Sequence, residues 1–250
     1  MSRQQKLILG LLLMLAAASW ALLIWQSATM NSPTMSAGLT MGMNAILFIA
    51  IWVVMMIAMM FPTAAPMILM FTAVYANKKR QSHAFVPTWV FVSAYLLIWT
   101  LFGIVAYPLA LGAERLATMS IWFMAQAPRI GGTLLALAGL YQLSPLKHIC
   151  LAKCRTPFQF ILNSWQDGYG GAFRMGFVHG ISCLGCCWFL FVLLFPLGIM
   201  NIAVMALLTA LIFAEKSVPL GHLISQITGI GLIFYGILVI LLPAALPIGM

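Results

Sequence analysis

The chain has 250 residues, of which 64% are hydrophobic and only 6% are charged. A water-soluble domain carries about 25% charged residues, so this composition excludes an ordinary soluble enzyme or binding domain and indicates a polytopic membrane protein. The formal net charge of +9 sits at the ends of apolar segments. It therefore follows membrane topology and does not indicate a nucleic-acid partner.

The apolar segments predict an all-α bundle of about seven transmembrane helices in one domain, because each crossing needs about 20 apolar residues. The first segment is long enough to span and lacks a convincing cleavage site, so it is interpreted as a helix rather than a signal peptide. The second is too long for one straight crossing, and Pro62 and Pro66 predict a kink or break in it. The predicted spans are 7–26, 45–76, 86–111, 130–143, 173–195, 199–214 and 222–242.

Polar residues between these spans predict the connecting loops. Residues 112–129 form a mixed loop, 144–172 the longest polar connection, and 215–219 a short loop. Ionisable side chains in such places are most simply solvated, and His222 is expected at a helix start. The residues interpreted as solvated are His83, Glu114, Arg115, Asp167 and Glu215.

Lys and Arg residues are distributed unequally between the two sets of loops. If the N-terminus is cytoplasmic, the outer loops hold only Arg115 and Arg129. Positive charge favours the cytoplasmic side, so this bias predicts an N-in, C-out protein of the bacterial inner membrane. The residues on the inner side are Arg3, Lys6, Lys78, Lys79, Arg80, Lys147, Lys153, Arg155, Arg174 and Lys216.

The predicted fifth span carries four metal-ligating side chains, His179, Cys183, Cys186 and Cys187. A helix turns about 100° per residue, which places all four on one face, near mid-membrane. Thiolates and imidazoles bind Cu(I) and Zn(II). A single Cys in a membrane helix usually packs as a small hydrophobe, but this combination favours a metal site. Gly180 predicts that the face meets another helix closely.

The predicted second span supplies a candidate partner for this face in Met55, Met56, Met59 and Met60. Thioethers are soft ligands that suit Cu(I) better than Zn(II). Methionine also fills irregular cores without any ligand role. Similar membrane depth nevertheless predicts a shared site between these methionines and the Cys face, with copper as the first choice of ion and zinc as the second.

Two loops add weaker candidates. The outer loop holds Met35, Met41 and Met43, which predict an outer station for a soft cation. The inner connection holds His148, Cys150 and Cys154, which predict an inner station that binds metal or undergoes redox chemistry. Two Cys residues do not complete a tetrahedral site, and their spacing differs from the usual redox motif.

Several function classes lack their defining residues. The chain has no nucleotide-binding loop or phosphorylated-aspartate sequence, and no acidic residue is expected within a span, which disfavours an ATP-driven pump and a carboxylate-type proton carrier. No nucleophile–base pair is visible, so no enzymatic activity is expected.

Three motifs in combination resemble a bacterial family of predicted metal-binding integral membrane proteins with a domain of unknown function. They are Met-Met-x-Ala-Met-Met-x-Pro from Met55, Ser-Pro-Leu-Lys-x-x-Cys-Leu-x-x-Cys-Arg from Ser144, and Cys-x-Gly-Cys-Cys-Trp from Cys183. The resemblance covers about residues 45–212. It implies metal binding, and copper handling in particular, without assigning catalytic residues.

The leading hypothesis is a membrane protein that binds Cu(I) for transport or for delivery to a periplasmic or membrane copper protein. One alternative is a thiol–disulfide electron carrier that uses the five Cys residues. A further alternative is a scaffold or assembly factor in which the Cys residues only pack.

Overall fold

The computed structural model describes residues 2–30, 39–40, 42–79 and 88–243, and these ranges contain helices and no β-strand. The all-α prediction is confirmed for them. The helices are α1 (Arg3–Met30), α2 (Ala45–Lys79), α3 (Thr88–Met119), α4 (Ile121–Leu143), α5 (Pro145–Arg155), α6 (Pro157–Ser164), α7 (Gly168–Val192), α8 (Leu194–Leu197, a single turn), α9 (Ile202–Ser217) and α10 (Gly221–Leu241).

Five helical segments among the described residues are long and apolar enough to cross a membrane. They are Arg3–Thr29, Ala45–Ala76, Thr88–Met119, Gly168–Leu197 and Gly221–Leu241. Helices α4 and α5 would form a sixth crossing if they are counted as one span bent by 62°. The predicted sixth span became α9, whose 16 residues extend only about 24 Å. The number of seven spans therefore stays a prediction.

Two regions predicted as loops are helical. Residues 112–129 contain the end of α3 and the start of α4, with Ser120 between them as the N-cap that accepts from the Phe123 backbone N–H. Residues 144–172 contain α5, α6 and the first turn of α7. Their polar residues lie at helix ends, where caps and charged side chains look like loop composition in a sequence.

Helix α2 continues through both of its prolines, so the predicted break at Pro62 and Pro66 is absent. A proline has no N–H, which leaves the carbonyl four residues earlier without its helical partner. The carbonyl of Ala58 is freed by Pro62, and it accepts a hydrogen bond of 3.1 Å from the Trp20 indole of α1. The neighbouring helix thus satisfies the backbone that the proline exposes.

Three sets of helix contacts organise the bundle. Helix α7 lies mainly against α3 and α5, α2 lies against α1, α3 and α9, and α4 pairs along its length with α10. Gly176 and Gly180 let α7 approach α3 closely, because a side chain there would meet Phe91 or Ile98. This close approach sets the face of α7 that carries the thiols against protein.

The α4–α10 pair gives a direct test of this packing. A methyl group on Gly139 would lie 2.5 Å from the Gly229 carbonyl oxygen, whereas one on Gly231 would meet nothing within 4 Å. We expect Gly139→Ala to lower the free energy of unfolding by about 1–3 kcal/mol. Gly231→Ala on the open side of α10 should be neutral or slightly stabilising. Unfolding of the purified protein in detergent measures both, and equal stabilities would contradict the packing described.

Candidate metal centre

The thiols of Cys183, Cys186 and Cys187 form one buried cluster. Their sulfur atoms lie within 4.8 Å of one another, and each residue is at most 1% exposed. The helical spacing of the sequence predicts this arrangement, because positions three and four apart share a face. The prediction that the Cys face meets protein rather than lipid is confirmed.

Hydrogen bonds distinguish Cys183 from the other two. The thiols of Cys186 and Cys187 donate to the Cys183 carbonyl oxygen at 3.1 and 2.8 Å. The sulfur of Cys183 instead accepts a hydrogen bond of 3.1 Å from the Lys216 ammonium of α9, and the Tyr95 hydroxyl of α3 lies 3.2 Å away. A cationic donor at this distance stabilises a thiolate. The geometry therefore favours a thiolate at Cys183 beside two thiols.

Cys154 of α5 adds a fourth sulfur to the cluster. Its Sγ lies 4.0 Å from that of Cys186, so the predicted inner residue and the predicted membrane residue belong to one group. Cys150 packs elsewhere, against Gly185, where an added methyl group would lie 2.7 Å from its sulfur. All five are free thiols. Clustered thiolates are typical ligands of Cu(I) and Zn(II).

His179 lies one turn before the cluster and is only 2% exposed. Its ring lies between those of Phe91 and Tyr95, with Phe160 against its edge. Neither ring nitrogen has a hydrogen-bond partner among the described residues. A buried polar group without a partner is costly, so this imidazole is a candidate ligand rather than a satisfied core residue.

A cavity of about 200 Å³ joins His179 to the protein surface. Exposed Ser217 lies at its outer end and buried His179 at its inner end. The cavity combines sulfur, imidazole and cationic groups, and Cys154 in its lining also contacts Cys186 of the cluster. Its lining residues are Thr63, Pro66, Met67, Cys154, Arg155, Pro157, His179, Lys216 and Ser217.

None of the four predicted methionines of α2 is among the residues that line this cavity. Met60 comes nearest by contact: the Thr63 hydroxyl lies 3.8 Å from its sulfur and 3.4 Å from the Lys216 nitrogen. Met56 and Met59 are buried in the core. Met55 lines a different cavity, and Met67 is the methionine of α2 that lines the one beside the thiols. Direct ligation by the four methionines stays a prediction.

The residues predicted for the outer and inner stations do not form two separate metal-binding clusters among the described residues. Met35, Met41 and His83 lie outside the described residues, whereas Met43 is buried just before α2. His148 stacks on His222 of α10, with ring centroids 4.1 Å apart. Residues 148 and 150 lie about 200° apart around a helix. His148 therefore points away from the thiols.

A buried ion pair stands beside the cluster, and it corrects the sequence interpretation of Glu215 as solvated. Helix α9 continues to Ser217, so Glu215 is buried and its carboxylate lies 2.8 Å from the Lys147 ammonium. The Gln142 amide donates to the same carboxylate at 3.0 Å. Lys216 is the next residue and faces Cys183. From the sequence, Lys147 and Lys216 count among the positive charges of the inner loops, but both are paired within the protein.

Sequence reasoning thus missed the charged part of the site. One signal was available: a charge next to an apolar helix needs a partner, and Glu215 is one of only three acidic residues in the chain. Glu114 is a second correction, because it lies within α3, partly buried, and accepts from the Thr40 hydroxyl at 2.7 Å. Asp167 and Arg115 are exposed, as expected.

Comparison with known proteins gives one family. A family model described as PpoB2, copper chaperone, matches residues 49–239. No curated protein and no solved structure shows a significant match. The match continues past residue 212, where the resemblance seen in the sequence ends, and it supports the expectation of copper.

The ion pair beside the cluster can be tested by removing one partner. Lys147→Met leaves the Glu215 carboxylate buried without its cation, and such a change costs about 3–5 kcal/mol of folding free energy. Lys153→Met, on the exposed side of the same helix, is the matched control and should be nearly neutral. Adding Glu215→Gln to Lys147→Met should recover part of the loss. Equal effects of the two Lys variants in detergent unfolding would argue against a buried pair.

Proposed function

The chain belongs to the PpoB2 family of copper chaperones, and we propose that it binds Cu(I) within the membrane and delivers it onward. The observation that carries the proposal is the group of three buried thiols within 4.8 Å, beside an ammonium. Softness favours Cu(I) at such a site. Zinc is the second candidate ion, because thiolates bind it as well.

Charge supports a bound cuprous ion at this depth. One Cu(I) held by two thiolates carries a net charge of −1, and an isolated charge in an apolar interior is costly. The Lys216 ammonium, 3.1 Å from the Cys183 sulfur, offsets that charge. The second thiolate comes from Cys186 or Cys187, whose thiol proton leaves when its sulfur binds the ion. Copper stays in the +1 state throughout.

The cavity beside the cluster supplies the route. An ion entering near Arg155 would meet the Met67 thioether and the His179 imidazole before the thiols. Thioethers bind Cu(I) more weakly than thiolates, so the ligands strengthen along the path. When the ion moves on from Met67 and His179, its bond to the thiolate replaces its bonds to these two side chains, and the released thiol proton leaves through the cavity to solvent.

The distribution of Lys and Arg supports an N-in, C-out orientation in a bacterial inner membrane. Lys147 and Lys216 are excluded from that count because they pair within the protein. The remaining positive residues still favour the same side. In this orientation the cavity mouth near Arg155 faces the cytoplasm, and the opposite ends of α2 and α7 face outward.

The metal proposal predicts which substitutions remove copper. Wild-type protein loaded with Cu(I) and dialysed against bicinchoninate should retain about one tightly bound ion per chain, since chelating thiolates hold Cu(I) strongly. The variant Cys183→Ser/Cys186→Ser/Cys187→Ser should retain none. Elemental analysis measures both.

Cys150→Ser is the matched control, because its sulfur packs against Gly185 rather than in the cluster, and it should keep the ion. Unchanged copper in the triple variant would contradict the proposal. Retention of zinc in place of copper would keep the site and change the ion.

A thiol–disulfide carrier is the second candidate, because Cys154 and Cys186 come from different helices with their sulfurs 4.0 Å apart. It predicts that mild oxidation joins these two sulfurs in a disulfide, which leaves two fewer titratable thiols. It also predicts that Met67→Leu has no effect on thiol–disulfide exchange. The copper proposal predicts instead that all five thiols persist in the metal-loaded protein under the same treatment and that Met67→Leu slows loading.

The orientation has its own test. An epitope tag at the N-terminus should be protected from added protease in spheroplasts, and a tag at the C-terminus should be digested, since an odd number of crossings separates the two ends. Permeabilised spheroplasts provide the control in which both tags are digested. Protection of both ends would indicate an even number of crossings and would overturn the seven-span prediction.

A further inference from the structure

We infer that the protein holds a second Cu(I) site, built from the thioethers of Met43, Met55 and Met200. This inference rests on the proposed function, since it names a further station for the same ion. The three methionines line one cavity that is separate from the cavity beside the thiols. Met200 was not a candidate in the sequence, and Met43 and Met55 were expected in two different sites.

The cavity fits an ion and excludes any molecule larger than water. Its volume is about 10 Å³, which is roughly the space of one water-sized sphere. All of its lining side chains are apolar, so an enclosed water molecule would find no polar side-chain partner. The lining residues are Met43, Phe48, Ile51, Trp52, Met55, Ile199 and Met200.

The methionines converge from three separate segments of the chain. Met55 belongs to α2, Met43 to the turn before it, and Met200 to the turn between α8 and α9. Two of the three are almost fully buried. Three methionines from distant segments line one cavity, and thioethers are ligands that Cu(I) accepts without any charged group.

Polar contacts hold the two turns in place. The backbone carbonyl of Met43 accepts from the Tyr107 hydroxyl at 3.2 Å, and its N–H donates to the Thr40 carbonyl at 3.0 Å. Thr40 is itself anchored to Glu114 of α3. Gly198, with a φ of 94°, forms the other turn, and the Asn201 side chain caps α9 immediately after Met200. These anchors fix both flanking methionines.

The aromatic residues of the cavity favour a soft monovalent cation. The Trp52 indole N–H donates to the Trp99 carbonyl at 2.9 Å, so this ring has a fixed orientation beside Met55. An aromatic face attracts a cation that is shielded from water. Zn(II), Mg(II) and Ca(II) prefer nitrogen, oxygen or thiolate ligands, and the lining offers none of these in its side chains.

The thioether cavity is separate from the cavity beside the thiols. Met55 and Met67 are twelve residues apart on the continuous helix α2, which corresponds to about 18 Å along the axis. Met67 lines the cavity beside the thiols, so the two sites lie toward opposite ends of α2. In the proposed orientation the thioether site is outward, where a weaker ligand set suits release.

Core filling by methionine is the competing explanation, and a matched set of variants separates the two. The background is Cys183→Ser/Cys186→Ser/Cys187→Ser, which removes the thiol site. Into it we would place Met43→Leu/Met55→Leu/Met200→Leu, or the control Met56→Leu/Met59→Leu/Met60→Leu, whose residues are also buried in α2 and do not line this cavity.

Cu(I) binding is measured with ferrozine, a weaker competitor than bicinchoninate, and by X-ray absorption. The triple-serine background and the control should each bind one Cu(I) with sulfur neighbours at thioether distance, and the cavity variant should bind none. Met200→Leu alone, at the partly exposed position, should weaken binding at least about tenfold. Thermal unfolding verifies that each variant is folded.

The outcomes separate this inference from the proposed function. If wild type binds one ion and the triple-serine background binds none, the thiol site stands and the thioether site is overturned. A further outcome is that the background binds copper while both the control and the cavity variant lose it. In that case binding does not depend on the three cavity methionines in particular, and the assignment of the site to Met43, Met55 and Met200 is overturned. If wild type retains no ion against bicinchoninate while the background binds one that only the cavity variant loses, the thiol proposal fails and the thioether site stands.

Discussion

The contact between the Lys216 ammonium and the Cys183 sulfur is the interaction on which the site depends. A thiolate within an apolar bundle is unstable unless a cation or hydrogen-bond donor lies next to it. Lys216 supplies the cation at 3.1 Å, while the thiols of Cys186 and Cys187 donate to the Cys183 backbone. The cluster therefore combines a prepared metal-binding sulfur with two thiols that lose a proton only when an ion arrives.

That contact requires α9 to be held in one position. The neighbouring Glu215 is paired with Lys147 and receives the Gln142 amide, so α4, α5 and α9 meet at one buried carboxylate. Arg155 donates to the carbonyls of Val218 and Pro219, just after α9 ends. The same junction brings Cys154 of α5 to Cys186 of α7. Electrostatic pairing and metal-site assembly are thus properties of one helix junction.

In the proposed function, the thiol site and the inferred thioether site would together give copper transfer a chemical direction. The thiol cluster has a cation, an unpartnered imidazole and an open cavity beside it. The thioether cavity is apolar, and Met55 in its lining lies about three turns of α2 from Met67, which lines the cavity beside the thiols. Thiolates suit capture of Cu(I), and neutral thioethers suit its release because they bind it less tightly. Both sites draw a ligand or a lining side chain from α2 and from the α7–α9 region, so a movement of these helices would affect both.

The sequence by itself determined the helical membrane character, the face shared by His179 and the three thiols, and the preference for a soft metal, because all three follow from composition, helical periodicity and donor chemistry. Only the tertiary structure decided which groups meet that face. From the sequence, Glu215 and Lys216 are predicted to lie in a loop, and Met55 is predicted to share a site with the thiols. Both predictions differ from the structure because local sequence does not determine which distant residues pair. Packing between α2, α5, α7 and α9 placed the ammonium at the cluster and directed Met55 to a separate cavity.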